Sequence, residues 1–531
     1  MCENEDEEAI VAGHANRRLV EPMRHALENA RTADVLLTHA YHLAHDPKQL
    51  ERGQPYPPLG TLYAAAAARE NGFRVAVFDS MLEDPEAGFA RSLQEHKPRV
   101  VILYEDSFNY LSKMCLLRSR ELSWKMRAAA AATGAIVIAH GSDAADHIEE
   151  YLEQGFDAVL LGEGEQTVCD LLDAILCRGQ VSEWRIPGLA WRDRSSGRVV
   201  RTEARSRQRD LSLLPFPARD LARLSDYADA WSRSTGYIST NVVASRGCPF
   251  RCNWCAKPVF GNSYSLRPAE SVAEEIAELK SSYGIEHIWF ADDIFALSAR
   301  WTEEFADAME HYGAVLPFKI QSRADLMRPG TVADLKRAGC SEVWMGVESG
   351  AQSVLNAMDK GLRVEGVAAA RELLRGYGIR ACYFLQFGYP GEGLKEIEAT
   401  IDLVRSTQPD DIGVSVSYPL PNTLFYDRVS EQLGDKRNWV DSAELSMMFR
   451  SAYSTEFYRS LRNALHFEVT EGHLPAERRT AGKLRMLWKE VYALEAVCRT
   501  ARPTSLPIYP QQSTPYSREH ESMDVSVAGA R

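Results

Sequence analysis

Two runs of alternating strand and helix signals predict an α/β chain. A doubly wound parallel-sheet domain comes first, a partial (β/α)6 barrel second and a helical C-terminal region last. A cluster of cysteines follows the first strand of the second alternation, at the end of a barrel where active sites form. The length of 531 residues is enough for two or three separate cores.

Residues 1–33 read as an acidic extension without the apolar core of a secretory signal. From Asp34 the strand runs DVLLTHAY, FRVAVFDS, PRVVILYEDS, GAIVIAHGSD and FDAVLLGEGE alternate with helices. These helices are expected over LGTLYAAAAARENG, 87–96, near 116–133, near 144–154 and over 166–177, giving a first domain of 34–180. Ligands of such sheets sit outside the carboxyl ends of the strands, here Thr38–His42, Tyr104–Ser107, His140–Asp143 and Gly162–Gln166. Gly141, Gly162 and Gly164 either let the backbone approach a ligand closely or serve as turn glycines. Residues 181–236 read as a linker, because RDRSSGRVVRTEARSRQRD is charged and LSLLPFPARD is broken by prolines.

The second alternation begins at Tyr237. STNVVASRGC, HIWFADDIFAL, PFKIQSRADL, EVWMGVESG, IRACYFLQFGYPG and DIGVSVSYPLP are its six strands. Helices are expected at about 268–283, 299–312, 330–338, 351–358, 364–377 and 392–406, giving a barrel over 237–430. Residues 431–500 read as helical and aromatic-rich, a lid over the barrel, and 501–531 as a disordered tail.

Cys248, Cys252 and Cys255 lie within SRGCPFRCNWCA. Three thiolates suit a four-iron cubane with one iron left open, whereas electron-carrying clusters take four cysteines. An open coordination position is what a catalytic metal site keeps. The competing readings are a structural zinc with a distant fourth ligand, and unligated core thiols. Zinc ligands usually come as two separated pairs, and no second C-x2-C or H-x3-H pair occurs. Gly247 and Pro249 tighten the turn, and Phe250 and Trp254 can shield the sulfurs.

The cysteine run resembles the signature of the radical S-adenosylmethionine (SAM) superfamily. PYPPLGTLYAAA, DAVLLGEGEQT and IPGLAWRD precede it in that order. This arrangement resembles the cobalamin-binding radical SAM enzymes, the group that includes the anaerobic magnesium-protoporphyrin monomethyl ester cyclase, over roughly 34–460. The resemblance implies a 4Fe-4S cluster on the three cysteines, SAM on the open iron and cobalamin in a Rossmann-like first domain. The D-x-H-x-x-G motif of many cobalamin domains is absent. His39, His42, His45 and His140 lack its context and read as polar loop residues, so cobalamin is expected to bind without a histidine below cobalt.

The resemblance also places Glu348 at the SAM ribose and Lys360 at its carboxylate. Asp292 or Asp293 is expected near the amino group, Arg323 near SAM or an acidic substrate, and the turn of Gly388, Pro390 and Gly391 near adenine. Tyr383, Tyr418 and Cys382 line the substrate pocket or, more commonly for such residues, pack the core.

The activity so implied is methylation of an unactivated carbon of a small-molecule or lipid-like natural product. The alternatives are an oxidative cyclase that consumes SAM without methylating, and a non-catalytic cobalamin sensor or carrier. An electron donor such as flavodoxin or ferredoxin is expected. The net charge of −13 argues against broad nucleic-acid binding, and no run of about 18 apolar residues would span a membrane. The remaining cysteines are scattered, which with a cluster motif fits a cytoplasmic location.

Overall fold

The computed structural model describes residues 32–180, 184–257 and 259–500. The expected extension up to residue 31 and the tail 501–531 lie outside the described residues. Five apolar runs form parallel strands: β1 (Val35–Thr38), β2 (Val75–Phe78), β3 (Val100–Tyr104), β4 (Ile136–His140) and β5 (Ala158–Leu160). Their spatial order is 2-1-3-4-5. All residues of β1 and β3 are buried, because alternate side chains feed two cores. Leu37, Ile102 and Leu160 enter one; Leu36, Leu103 and Val159 enter the other. The order reverses between β1 and β3, so the loops after Thr38 and Tyr104 flank the crevice expected to hold a ligand.

The stretch expected as a linker is more structured than its composition suggests. β6 (Leu189–Arg192) and β7 (Val199–Arg201) form a hairpin that pairs antiparallel with β5 and continues the first sheet. The charged residues around it masked the strand signal, yet Leu189, Ala190 and Trp191 are buried and cover the edge of β5. A helix, Leu224–Thr235, then leads to the barrel.

β8 (Ser239–Val242) is followed by a small ribbon of β9 (Ser245–Arg246) and β10 (Ser265–Leu266), which brackets the cysteine loop. β11 (His287–Phe290), β12 (Phe318–Ser322), β13 (Cys340–Glu348), β14 (Arg380–Phe387) and β15 (Asp411–Val416) complete the sheet. β8 and β11 to β15 lie side by side in chain order, all parallel, as an open six-stranded partial barrel. Phe290, Ile320, Val343, Leu385 and Val414 point outward into the helical shell. The alternate residues Trp289, Lys319, Gln321, Trp344 and Phe384 line an inner cavity.

The C-terminal region is only half helical. Its helices are Thr455–Gly472 and Ala481–Thr500, whereas 433–454 is irregular. Met447 and Phe449 there pack onto the barrel rim around Tyr389 and Phe425, so their spacing follows pockets on the barrel and not a helical period.

Candidate active site

The cysteine loop begins at Gly247, whose φ of 80° and lack of a side chain are both required. A Cβ there would collide with the carbonyl oxygen of Ser263. Lys257 gathers the loop from inside, its Nζ donating to the carbonyl of Cys248 at 3.0 Å, to Asn262 Oδ1 at 2.9 Å and to the carbonyl of Phe250. Asn253, between two of the cysteines, is the anchor. Its Nδ2 donates to Ala357 O at 2.8 Å and Asp359 Oδ2 at 2.7 Å, and its Oδ1 accepts from Tyr389 OH at 2.8 Å. Its backbone N–H donates to Met358 O at 3.0 Å, and its carbonyl accepts from Phe425 N at 3.0 Å.

All three thiols are free and partly buried. Among the described residues no three His, Cys, Asp or Glu side chains converge on a single ion. Three cysteines on one loop suit a cubane, whose cysteine-bound irons occupy different corners. Burial pushes the Cys255 thiol up to about 12 and also raises Cys248.

The expected SAM contacts gather on this rim. Lys360 Nζ lies 2.8 Å from Glu348 Oε1, both buried. Glu348 ends β13 at a register shift, with φ of 64°. Gly346 makes room for the pair, since a Cβ there would lie 2.7 Å from Lys360 Nζ. Arg323 donates to Lys360 O at 2.8 Å and to both oxygens of Asp325, and its guanidinium covers the Phe250 ring at 3.8 Å. Trp254 packs against the apolar cluster that includes Met358 and Tyr389, and its Nε1 is buried without a partner among the described residues.

The two aspartates after β11 separate by strand alternation. Asp292 accepts from Ala244 N at 3.2 Å and from Ser245 Oγ, and burial raises it to about 7. Asp293 lies on the cysteine side, where its charge bears on Cys248 and Cys255. It accepts from Lys113 Nζ of the first domain at 2.5 Å.

The room left by Gly388 (φ 78°) is taken by Met447 and Tyr458 of the C-terminal region, not left open for a base. Its N–H donates to buried Glu392 at 2.5 Å, and Pro390 is half-buried beside it. Tyr383 and Cys382 are fully buried, and Tyr383 belongs to the outer core, as packing residues do. Tyr418 accepts from Trp439 N at 3.1 Å and holds the C-terminal segment.

In the first domain the three glycines have different roles. A Cβ at Gly141 would lie 2.6 Å from Glu105 Cβ, and one at Gly164 would lie 2.7 Å from the Tyr104 ring, so both serve packing. Gly162 (φ 73°) faces open space at the end of β5. Three of the four histidines have a hydrogen-bond partner. His39 Nε2 meets Asp79 at 2.9 Å, His42 Nδ1 meets Ser80 O at 2.7 Å, and His140 Nε2 meets Gly162 O at 3.0 Å. His45 Nδ1 is buried without a partner among the described residues. His140 also stacks on Tyr104 at 3.8 Å. Ser107 Oγ and His140 Nδ1, at the ends of β3 and β4, are buried polar atoms without a partner among the described residues. Open space at Gly162 and these orphaned atoms at the strand ends fit a large polar cofactor lying across the crevice.

Arg246 joins the two domains. From β9 it reaches Glu165 at 2.6 Å and Glu163 at 3.3 Å in the GEGE turn after β5, all three buried or nearly so. Its guanidinium also lies over the Tyr63, Phe108 and Phe260 rings at 5.2–5.6 Å. Asn241 Nδ2 donates to Pro57 O at 2.9 Å, and Trp231 Nε1 to Pro55 O at 2.7 Å. Asp106, capping the N–H groups of Leu59 and Gly60, holds the PYPPLG segment that makes these contacts. The signal for Arg246 and Asn253 was present in SRGCPFRCNWCA, but nothing in the run alone names their partners.

The radical SAM superfamily model matches residues 242–404, and the B12 binding domain model matches 50–172. An uncharacterized methyltransferase of Pyrococcus horikoshii is 26% identical over 458 residues, covering 82% of this chain and 95% of that protein. The hopanoid C-3 methylase of Methylococcus capsulatus is 26% identical over 386 residues, covering 71% and 69%. In fold, the radical SAM methyltransferase TsrM of Kitasatospora setae superposes with a TM-score of 0.61 at 20% identity over 75% of each chain. The two matched domains meet beside the three-cysteine loop, through Lys113 with Asp293 and Arg246 with Glu163 and Glu165. The chain belongs to the cobalamin-binding radical SAM enzymes, with a 4Fe-4S cluster, SAM and cobalamin as its cofactors.

Proposed function

We propose that this enzyme methylates an unactivated carbon of a small molecule bound between the barrel and the cobalamin domain. The observation that carries the reading is the ion pair of Asp293 and Lys113, which brings the cobalamin domain to the rim of the cluster loop. When bound, the cluster and SAM would supply radical chemistry at carbon, and cobalamin would supply methyl-transfer chemistry.

The chain's own residues bind and orient. Lys360 is the cation for the SAM carboxylate, and it leaves Glu348 free to accept from ribose hydroxyls as the pair opens. Asp293 offers a carboxylate to the SAM ammonium group, and Arg323 with Phe250 braces the rim beneath it. Gly162, Ser107 and His140 would border cobalamin at the strand ends. Below the rim, a cavity of about 480 Å³ lined from both domains takes the substrate. A flavodoxin- or ferredoxin-class protein reduces the cluster, and the enzyme works in the cytoplasm. Among the described residues no helix is long and apolar enough to cross a membrane.

The test is turnover of reconstituted enzyme with extracts of its source cells. The expected products are 5′-deoxyadenosine and S-adenosylhomocysteine in parallel, with a metabolite heavier by one methylene. Formation of 5′-deoxyadenosine without S-adenosylhomocysteine would sink the methylation reading.

A further inference from the structure

The cavity narrows the class of substrate. It runs from the barrel interior to the helix Pro47–Arg52 of the first domain. Trp289, Trp344 and Phe384 form its inner wall, the last two stacked at 4.8 Å. Three cations line it, Lys48, Arg52 and Lys319, against one carboxylate, Asp411. Among the described residues none of the three side chains makes an ion pair or a hydrogen bond.

Two nearby acids are already engaged, while the charge of exposed Glu51 bears on Arg462. Glu342 is held by Arg380 at 2.8 Å and by Trp344 Nε1 at 2.6 Å. Asp46 accepts from Ser442 Oγ at 2.9 Å and caps Gln49. Lys319 rises from β12 toward the rings of Tyr56, Trp231 and Trp289, at 5.5, 5.9 and 5.9 Å, which soften but do not neutralise its charge. Arg462 adds to the field from the helix Thr455–Gly472, its Nε buried without a partner among the described residues. The same sign is felt on three elements. Burial, then Arg462 and Arg52, bring Lys48 down to about 8. Burial, then Arg52, bring Lys319 to about 8, and burial, then Arg462 and Lys48, hold His466 at about 4. On a chain of net charge −13 this is a local concentration of unpaired cations around a cavity.

We propose that the substrate carries an acidic group, a carboxylate or a phosphate, held by Lys48, Arg52 and Lys319, with an aromatic or otherwise flat apolar body against Trp289, Trp344 and Phe384. This inference rests on the reading of the cavity as the substrate site of the methylating enzyme.

Equilibrium binding to the anaerobically reconstituted enzyme tests it without turnover, using 2-naphthoate, 2-naphthyl phosphate and 2-naphthol as probes. At least one acid is expected to bind at least about tenfold more tightly than the alcohol. The better acid tells carboxylate from phosphate recognition. Lys319→Gln and Arg52→Gln should each weaken the acid by about tenfold and leave 2-naphthol unchanged. Retained cluster absorbance and thermal unfolding guard against misfolding, and Lys48→Gln on the neighbouring helix provides a second route if Lys319→Gln fails to fold. Equal binding of acid and alcohol, acid binding untouched by these substitutions, or no binding of either acid at millimolar concentration would overturn the proposal. Loss of the methylation reading shows separately, as absent S-adenosylhomocysteine with acid binding intact.

Discussion

Asn253 offers a test of loop positioning separate from ligand identity, because Asn253→Ala leaves all three cysteines in place. The substitution removes three side-chain hydrogen bonds, to Ala357 O, Asp359 and Tyr389. Their loss is not fully felt. Asp359 is exposed and recovers water, and Tyr389 OH still reaches Ala357 O at 2.9 Å. With a net worth of about 1 kcal/mol for each buried bond and less for the exposed one, the closed loop loses about 2 kcal/mol. That is roughly a 30-fold shift toward an open loop. Iron release to a chelator under anaerobic conditions should quicken by a similar factor, with lower iron content after reconstitution. Asn253→Asp should be at least as damaging near neutral pH, since it sets a carboxylate against Asp359. If Asn253→Ala retained iron as the parent enzyme does, the proposed anchoring would be wrong.

Three further outcomes are expected. Arg246→Met strands two carboxylates between the domains and should cost about 3–5 kcal/mol in urea unfolding of the apoprotein, part of it recovered by adding Glu163→Gln and Glu165→Gln. An unchanged midpoint would mean that the pair does not hold the domains together. Lys360→Met removes the cation paired with Glu348 and should weaken SAM binding at least about tenfold with the cluster intact; equal affinity in equilibrium dialysis would remove Lys360 from the SAM site. Burial raises Glu392 to about 8, so the folded state prefers its protonated form. Its contribution to stability is full below the unfolded value near 4.5 and is lost as pH rises through about 8. Glu392→Gln should flatten the fall in melting temperature over that interval, and an identical pH profile would refute the assignment.

The rim was partly legible because its chemistry is written in short spacings. Three cysteines on one loop are readable from their spacing, whereas Glu348 and Lys360 were named through the family resemblance, and the fold pairs them at 2.8 Å. The parallel strands were equally readable, since burial on both faces leaves continuous apolar runs such as VVILY. The β6–β7 hairpin was hidden because pairing with β5 rescues a charged segment whose own signal is that of a loop. The irregular half of the C-terminal region was hidden for a related reason: its apolar residues match pockets on the barrel rim.

The sequence by itself determined the three-cysteine cluster motif and the two-domain plan, because ligand spacing and strand burial depend on residue type and local pattern, while SAM and cobalamin followed from the family resemblance. Tertiary structure decided the rest. It showed which aspartate faces the cysteines, which glycine faces open space, that Arg246 and Lys113 bridge the domains, and that unpaired cations surround the cavity. Each of these depends on which side chains from distant segments share one volume, and charge or space left uncompensated there belongs to the assembled fold and not to any motif.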